Sequence, residues 1–227
     1  MVPQINSGLG LPADQHRAVA RSYAQLEQDL WVLSHTGHKS RGVFVEFGAT
    51  DGVWLSNTYL LESRFDWSGV CAEPNPELFE KLKLNRRCKV SDACIGGQTG
   101  EQVEFVLADI YGGITRHAGS DRHASKRQAC VDAGKVVRLK TVSLNDFLEH
   151  NHLPREIDYI SVDTEGSELE ILKAFPFAQW RVKLWTIEHN YLPQRAAIRS
   201  IMLRHGYSCT EMQWDDAYAL TGDAAGT

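Results

Sequence analysis

Short apolar runs alternate with amphipathic segments along most of the chain, and this pattern predicts strands that alternate with helices. Apolar runs typical of buried strands cover residues 42–47, 69–73, 89–90, 157–162 and 182–187. Helical patterns cover residues 14–33, 56–65, 143–149, 167–175 and 193–205. This alternation is typical of an α/β protein with a mostly parallel sheet. We expect residues 207–212 and 217–220 to close the sheet as an antiparallel pair.

A different pattern occupies the middle of the chain. Residues 103–107 and 136–141 are predicted to be the strands of a hairpin-like insertion. Between them, Tyr111-Gly112-Gly113 precedes a polar segment that contains few apolar residues. Its basic side chains are Arg116, His117, Arg122, His123, Lys126 and Arg127. We interpret the segment either as a mobile surface loop or as a lid that meets an anionic or polyhydroxylated substrate.

The length of 227 residues suits one α/β domain with a full core. We predict an N-terminal tail and covering helix over residues 1–37. The remainder, residues 38–227, is predicted to be one domain with an insertion at about 101–141. The apolar stripe that runs from Val19 to Leu33 either covers the ligand site or forms a dimer face.

The first predicted strand ends near Glu46 and continues into a turn that contains Gly48 and Gly52. Glycine is needed where the backbone takes unusual dihedral angles or closely approaches a ligand. A strand, a glycine turn and a helix N-terminus together form the usual platform for a nucleotide-like ligand. The spacing differs from the G-x-G-x-x-G fingerprint. A carboxylate before the first glycine favours the amino group of S-adenosylmethionine over the pyrophosphate of NAD. A purely structural turn is the alternative.

A second acidic residue, Glu73, ends the second predicted strand. A carboxylate at this position can accept hydrogen bonds from both hydroxyls of a ribose. Asn75 and Pro76 are a typical N-cap and first-turn pair for the following helix. Since they account for the helix entry, Glu73 is left for a ligand, although an acid at the helix entry is the structural alternative.

The fourth predicted strand of the parallel sheet ends at Asp163, and Glu165 and Glu168 follow it. Ligands of open α/β sheets bind at the carboxyl ends of the strands, so Asp163 is expected in the same crevice as Gly48 and Glu73. A carboxylate at the end of a buried strand needs a partner. Glu168 is better explained by the dipole of the helix that it begins.

In this order, residues 44–52, residues 73–76 and the D-x-E-G-x-E sequence of residues 163–168 resemble the FkbM-type family of S-adenosylmethionine-dependent methyltransferases. The resemblance covers about residues 23–190 without the segment 108–135. It implies a Rossmann-like, seven-strand methyltransferase sheet that is mostly parallel, with an antiparallel strand near the C-terminus and helices on both faces. It also implies methyl transfer to a hydroxyl oxygen of a sugar or another small molecule.

Carried over position by position, the resemblance implies that the turn after Glu46 holds the methionine part of the cofactor and that Glu73 holds its ribose. The adenine would lie against Asp92 and Ala93, and Asp163 would lie near the sulfonium. A general methyltransferase often has a glycine where this chain has Thr50. The predicted cofactor-binding residues are Glu46, Gly48, Ala49, Asp51, Gly52, Glu73, Pro74, Asn75, Asp92, Ala93 and Asp163.

Methyl transfer to a hydroxyl requires alignment of donor and acceptor and removal of the hydroxyl proton. His189 is the first candidate base because it follows the fifth strand and can titrate near neutrality. A structural histidine is its alternative, and Asp163 and Glu165 are the other candidate bases. A metal is not favoured but stays open. Asp163 with Glu188, His189 or Asn190 resembles the ligand positions of catechol-type O-methyltransferases.

Composition and charge bear on the possible partners, on membrane association and on the cellular location. The net charge of −5 argues against general nucleic-acid binding, which needs a basic surface. No apolar run approaches the ~18 residues of a membrane span. Residues 1–12 lack the features of a signal peptide. The five cysteines form no C-x-x-C pair, so we predict reduced thiols and a cytoplasmic location. Trp54, Trp67, Trp185 and Trp214 are candidate sugar-stacking or core residues.

Two other functions stay open at this point. A catalytically silent binding module would keep the cofactor fold without turnover, and it would be unaffected by replacement of Asp163 or His189. An NAD(P)-dependent oxidoreductase is disfavoured because the dinucleotide fingerprint is missing.

Overall fold

Parallel strands that alternate with helices build the fold, as the sequence pattern predicts. The computed structural model describes residues 21–117 and 123–222. The strands are β1 (Val43–Phe47), β2 (Ser68–Ala72), β3 (Lys89–Ser91), β4 (Cys94–Gly96), β5 (Gln102–Val106), β6 (Gly113–Ile114), β7 (Val136–Ser143), β8 (Glu156–Val162), β9 (Arg181–Glu188), β10 (Tyr207–Glu211) and β11 (Asp215–Leu220). The helices are α1 (Gln28–His35), α2 (Tyr59–Phe65), α3 (Pro76–Asn85), α4 (Ala124–Asp132), α5 (Leu144–His150), α6 (Glu168–Ala174) and α7 (Gln194–Arg204).

The main sheet has seven strands in the order β10-β11-β9-β8-β1-β2-β3. Strand β11 runs antiparallel to both of its neighbours, and the other pairs are parallel. The predicted sheet, including its antiparallel C-terminal strand, is therefore confirmed. Since β8, β1 and β2 are adjacent and parallel, their carboxyl ends meet at one edge, and the residues that follow them are brought together.

Helices cover both faces of this sheet because successive strand residues point to opposite sides. Val45 and Phe47 of β1 belong to a core cluster that includes residues of α5, α6 and α7. Phe44 belongs to the opposite cluster, with residues of α1, α2 and α3. In residues 21–117 and 123–222, no helix is both long and apolar enough to cross a bilayer. The cysteines form no disulfide.

A second sheet, in the order β4-β7-β5-β6, contains the insertion. Strands β5 and β7 are antiparallel, as expected for a hairpin-like pair. The polar segment between them is not a plain loop, because it contains α4 and the short 3₁₀ turns Asp109–Tyr111 and Thr115–His117. Arg122 lies outside the described residues.

The predicted helix over residues 14–33 is wrong where the structure describes it, because α1 begins only at Gln28. The carboxylate of Asp29 accepts hydrogen bonds from the Tyr23 amide, at 2.9 Å, and from the Ser22 hydroxyl, at 2.5 Å. These bonds fold the preceding chain back against the start of the helix. Val19 lies outside the described residues. The division at residue 37 stays a prediction.

Candidate functional site

A pocket lies at the carboxyl ends of β1, β2, β8 and β9, and we call it the strand-end pocket. Its floor comes from the residues that follow these strands, and one wall comes from the insertion. Gln25 and Gln28 also line it, so the segment at the start of α1 reaches the site. Other lining residues used below are Gly48, Thr50, Asn57, Glu73, Pro74, Ala93, Asp109, Tyr111, His123, Asp163, Glu165, Glu188 and Trp214.

The turn after β1 depends on close backbone packing. Gly48 has φ +72°, and a Cβ there would lie 2.1 Å from the carbonyl oxygen of Asp163. Gly52 has φ +84°, and a Cβ there would lie 2.7 Å from Cγ of Arg86. Thr50, where a glycine is more usual, has φ +49° and so adopts a glycine-like conformation despite its side chain. Only glycine fits at Gly48, since a backbone oxygen cannot move aside cheaply.

We expect Gly48→Ala to destabilise the protein far more than Gly100→Ala does. Gly100 also has a positive φ, +87°, but nothing lies within 4 Å of the position that an added methyl group would occupy. Backbone strain alone costs about 1–2 kcal/mol, and overlap with a fixed atom adds about 1–3 kcal/mol. Urea unfolding of both variants measures the difference. Equal losses would contradict the close packing of the turn on Asp163.

Glu46 lies beneath this turn, and it does not line the pocket. Its carboxylate accepts hydrogen bonds from the Asn57 amide, at 2.6 Å, and from the hydroxyls of Ser56 and Thr58, at 3.0 and 2.5 Å. These bonds hold residues 56–58 in a non-helical bend, so α2 begins at Tyr59 and not at Ser56 as predicted. The position of Glu46 therefore supports a role in shaping the turn rather than direct contact with the methionine part of a cofactor.

Arg86 is the central contact of the turn, and the sequence analysis missed it. Its side chain is fully buried and forms an ion pair with Glu62 and, at 3.3 Å, with Glu46. Its guanidinium also donates to the Thr58 hydroxyl, at 2.8 Å, and to the carbonyl of Gly52, at 3.2 Å. The Arg86 guanidinium thus links Gly52 in the turn and Thr58 after the turn to Glu46 of the sheet. Nothing in the local sequence distinguishes it from a surface arginine after a helix.

Glu73 lies in the pocket, where the sequence places the ribose. It is buried, and its two carboxylate oxygens accept one bond each, from the Thr50 amide, at 3.0 Å, and from the Asn75 amide, at 2.8 Å. Each carboxylate oxygen can accept a further bond, which leaves acceptors for a pair of hydroxyls. Burial raises the pKa of Glu73 to about 7. The remaining acceptor positions of Glu73 therefore fit the two hydroxyls of a ribose.

The raised pKa of Glu73 predicts that the expected ribose contact depends on pH. Below pH 7 the carboxyl is protonated and loses an acceptor for the hydroxyls, so the affinity for S-adenosylhomocysteine falls as the pH falls. Between pH 8 and pH 6 we expect about a tenfold loss. Calorimetric titration at both pH values tests this, with Glu73→Gln as the control. The variant should bind weakly at both; a native affinity that is independent of pH would contradict the assignment.

The other predicted cofactor residues divide into two groups. Pro74 and Ala93 line the pocket. Asp51, Asn75 and Ala49 do not line it. The side chains of Asp51 and Asn75 instead accept hydrogen bonds from backbone amides. Asp51 accepts bonds from the amides of residues 53 and 54. Asn75 caps α3 by accepting from the amide of residue 77, as predicted. Asp92 is exposed and does not line the pocket either, so direct contact with the adenine is not supported by its position.

Three carboxylates meet in the strand-end pocket. Asp163 follows β8 and Glu188 ends β9, and one oxygen of each lies within 4.8 Å of the other and of a Glu165 oxygen. Burial, and then the charge of Glu165, raises the pKa of Asp163 well above its usual value. Burial, and then the charge of Asp163, does the same for Glu188. The cluster therefore holds protons more tightly than isolated carboxylates do.

His189 lies outside the pocket. Its Nε2 is 3.6 Å from Oδ1 of Asp216, which also pairs with two arginines. Its Nδ1 accepts a hydrogen bond from the amide of Tyr191, at 3.0 Å. The position of His189 therefore does not support its prediction as the first candidate base, because the ring is buried in an ion-pair cluster outside the pocket. Asp163 and Glu165 line the pocket and stay as candidate bases.

The basic side chains of the insertion bind acids of the protein itself. Arg116 pairs with Glu101 and Glu170. Lys126 lies 3.3 Å from Asp109. The fully buried Arg127 donates to Glu165, at 3.1 Å. None of these three cations lines the pocket, so they do not support the expectation of an anionic substrate.

Aromatic rings also border the pocket, and they come from two parts of the chain. Tyr111 stacks on His123 with 3.9 Å between the ring centroids, and both line the pocket. Trp214 lines it as well, whereas Trp67 and Trp185 are core residues. The insertion therefore forms a wall of the site, which supports the lid interpretation over that of a detached loop.

Comparison with solved structures supports the fold. The METTL16 methyltransferase domain (crystal form 2) aligns with a TM-score of 0.51 at 14% identity, covering 88% of this chain and 70% of that one. The precorrin-6y C5,15-methyltransferase from Geobacter metallireducens GS-15 aligns with a TM-score of 0.47 at 11% identity, covering 85% and 87%. No curated protein matches the chain. At 14% identity, the likeness to the METTL16 domain shows the fold alone.

The family is shown by a direct match to the sequence. The family model of the methyltransferase FkbM domain matches residues 46–209. This range begins at Glu46 and includes Glu73 and the D-x-E-G-x-E sequence that starts at Asp163. The chain belongs to the FkbM family of S-adenosylmethionine-dependent methyltransferases.

Proposed function

We propose that this protein transfers a methyl group from S-adenosylmethionine to a hydroxyl oxygen of a neutral, polyhydroxylated small molecule. The observation that carries the proposal is one pocket that combines Glu73, an acceptor for the ribose hydroxyls, with a half-buried carboxylate, Asp163, whose pKa is raised well above its usual value. A base with a raised pKa suits proton removal from a hydroxyl near neutral pH.

The residues have separate roles in this proposal. Glu73 and the turn at Gly48 bind the cofactor, which supplies the methyl group at its sulfonium. The backbone carbonyl of Asp163 packs against Gly48, and Asp163 lines the same pocket as Glu73, which supports a position of its carboxylate near the acceptor. Asp163 or Glu165 accepts the hydroxyl proton as the new C–O bond forms. Alignment by the pocket walls supplies the in-line geometry.

The chemistry of the lining favours a neutral acceptor over an anionic one. In the described part of the chain, the lining includes Glu73, Asp109, Asp163, Glu165 and Glu188 and contains no lysine or arginine. Asp109 and Glu165 are paired with Lys126 and Arg127, and the remaining carboxylates disfavour an anionic substrate. The ring of Trp214, which lines the pocket, suits the carbon face of a sugar. Hydroxyl groups can donate to the carboxylates, so a sugar or similar polyol fits best.

Mass spectrometry of reaction products tests the proposal. The protein is incubated with S-adenosylmethionine and a panel of sugars and other polyols, and we expect one acceptor to gain the mass of a CH₂ group with formation of S-adenosylhomocysteine. Methylation confined to amines or to carbon would contradict O-methyl transfer. Cofactor binding without turnover on any acceptor, unchanged in Asp163→Ala, would favour the silent binding module.

A further inference from the structure

Resting on the proposed function, we propose that Asp163, Glu165 and Glu188, together with the amide oxygen of Asn57, bind a divalent cation in the strand-end pocket. The cation belongs to the class that prefers oxygen ligands, such as Mg²⁺, Mn²⁺ or Ca²⁺. The inference depends on the spacing of the three carboxylates, on the charge of the pocket, and on a buried oxygen of Asn57 that has no hydrogen-bond partner within the described residues.

The spacing of the carboxylates suits such an ion. One oxygen from each of Asp163, Glu165 and Glu188 lies within 4.8 Å of the other two. Ligands of an octahedral ion with bonds of about 2.1 Å are about 3 Å apart when adjacent and about 4.2 Å apart when opposite; bonds of about 2.4 Å widen this to about 3.4 and 4.8 Å. The three oxygens therefore need little movement to share one ion.

The excess of negative charge in and around the pocket also favours a bound cation. Arg127 donates to Glu165 and offsets part of the negative charge of the cluster. Asp215 lies opposite Glu188 in the β9–β11 register, and its carboxylate already accepts a bond from Gln28, at 2.7 Å. Bringing several carboxylates together in a buried site is costly unless protons or a cation neutralise them. A divalent ion neutralises them without protonating the candidate base.

Asn57 supplies an independent observation. Its side chain lines the same pocket, is 6% exposed, and donates from Nδ2 to the Ser161 hydroxyl, at 2.8 Å. Ser161 lies two residues before Asp163 and 3.4 Å from the Thr186 hydroxyl, which lies two residues before Glu188. The Asn57 amide is thus anchored to β8 two residues before Asp163, in the lining of the same pocket. Its Oδ1 is buried and has no hydrogen-bond partner within the described chain.

A buried amide oxygen without a hydrogen-bond partner is destabilising. A cation bound between Asn57 and the carboxylates satisfies this oxygen and adds a fourth protein ligand of the appropriate type. If an acceptor hydroxyl completed the coordination of such an ion, its pKa would fall. A carboxylate oxygen of the cluster that does not coordinate the cation would accept the proton, so the cation and the base would act on the same hydroxyl oxygen.

Titration of the metal-stripped, full-length protein with Mn²⁺ tests the proposal. Calorimetry and the electron paramagnetic resonance of bound Mn²⁺ should show one saturable site per chain. We expect Glu188→Gln to weaken Mn²⁺ binding by about tenfold or more, and Asn57→Ala to weaken it by a smaller factor. Glu170→Gln is the matched control, since its carboxylate is partly exposed and pairs with Arg116 outside the pocket. This variant should bind Mn²⁺ like the native protein.

The absence of saturable Mn²⁺ binding would overturn the cation site, and so would native affinity in either Glu188→Gln or Asn57→Ala. Titration of the same proteins with S-adenosylhomocysteine separates this result from the proposed function. Binding of S-adenosylhomocysteine without binding of Mn²⁺ would remove the cation and leave the transferase. Retained binding of S-adenosylhomocysteine in Glu188→Gln would show that this variant is folded.

Discussion

Replacing Asp163 by asparagine is expected to lower the rate of methyl transfer by about 10²–10⁴-fold. Asparagine keeps the shape of the side chain but cannot accept the hydroxyl proton. The affinity for S-adenosylhomocysteine should stay near the native value, because it depends on Glu73 and on the turn at Gly48. The rate is measured at saturating S-adenosylmethionine with the acceptor that the product screen identifies.

His189→Gln is the comparison for this prediction. His189 follows the strand next to the one that Asp163 follows, but its ring contacts Asp216 and does not line the pocket. We therefore expect the transfer rate of the folded variant to stay close to native. A large loss in His189→Gln together with a native rate in Asp163→Asn would contradict the assignment of the base.

Arg86→Met is expected to destabilise the protein by about 3–5 kcal/mol. The guanidinium is fully buried between Glu46 and Glu62, and methionine leaves Glu46 buried without its cation and Glu62 with only the exposed Arg87. It also removes donors to Thr58 and Gly52, so the turn above the sheet loosens. The affinity for S-adenosylhomocysteine should fall with the stability. Denaturant unfolding monitored by circular dichroism gives the free energy of unfolding.

The neighbouring arginine provides the control for Arg86. Arg87 pairs with the same Glu62, at 3.8 Å, but its side chain is 75% exposed. Exposed ion pairs contribute about 0–1 kcal/mol, so Arg87→Met should be nearly neutral. Equal destabilisation by the two replacements would show that burial of the Arg86 cluster does not hold the turn.

Much of the fold can be predicted from the sequence because buried strands and their ends have a recognisable pattern of apolar and polar residues. Alternating apolar runs predict parallel strands, and the carboxyl ends of adjacent parallel strands lie at one edge. That is why Glu73 and Asp163, far apart in sequence, lie in one pocket. Asn75 is a further case, since a capping side chain acts on the backbone next to it and needs no tertiary information.

The side chains that the sequence did not place depend on long-range partners. Arg86 and Arg127 look like surface arginines locally, and only the fold brings carboxylates to meet them. The direction of a side chain at a strand end is equally hidden. Glu188 is the last residue of β9 and His189 the first residue after it, and only Glu188 lines the pocket. Two neighbouring residues at the end of a strand can therefore have different roles, one in the pocket and one in the surrounding structure.

Calorimetric titration with S-adenosylhomocysteine tests the central claim most directly, which is that the strand-end pocket binds the cofactor through Glu73. We predict micromolar binding to the native protein. In Glu73→Ala, two hydrogen bonds to a charged acceptor are lost, which corresponds to a loss of about 100-fold or more. Gly100→Ala serves as a folded variant outside the site. The absence of binding to the native protein, or native affinity in Glu73→Ala, would contradict the account.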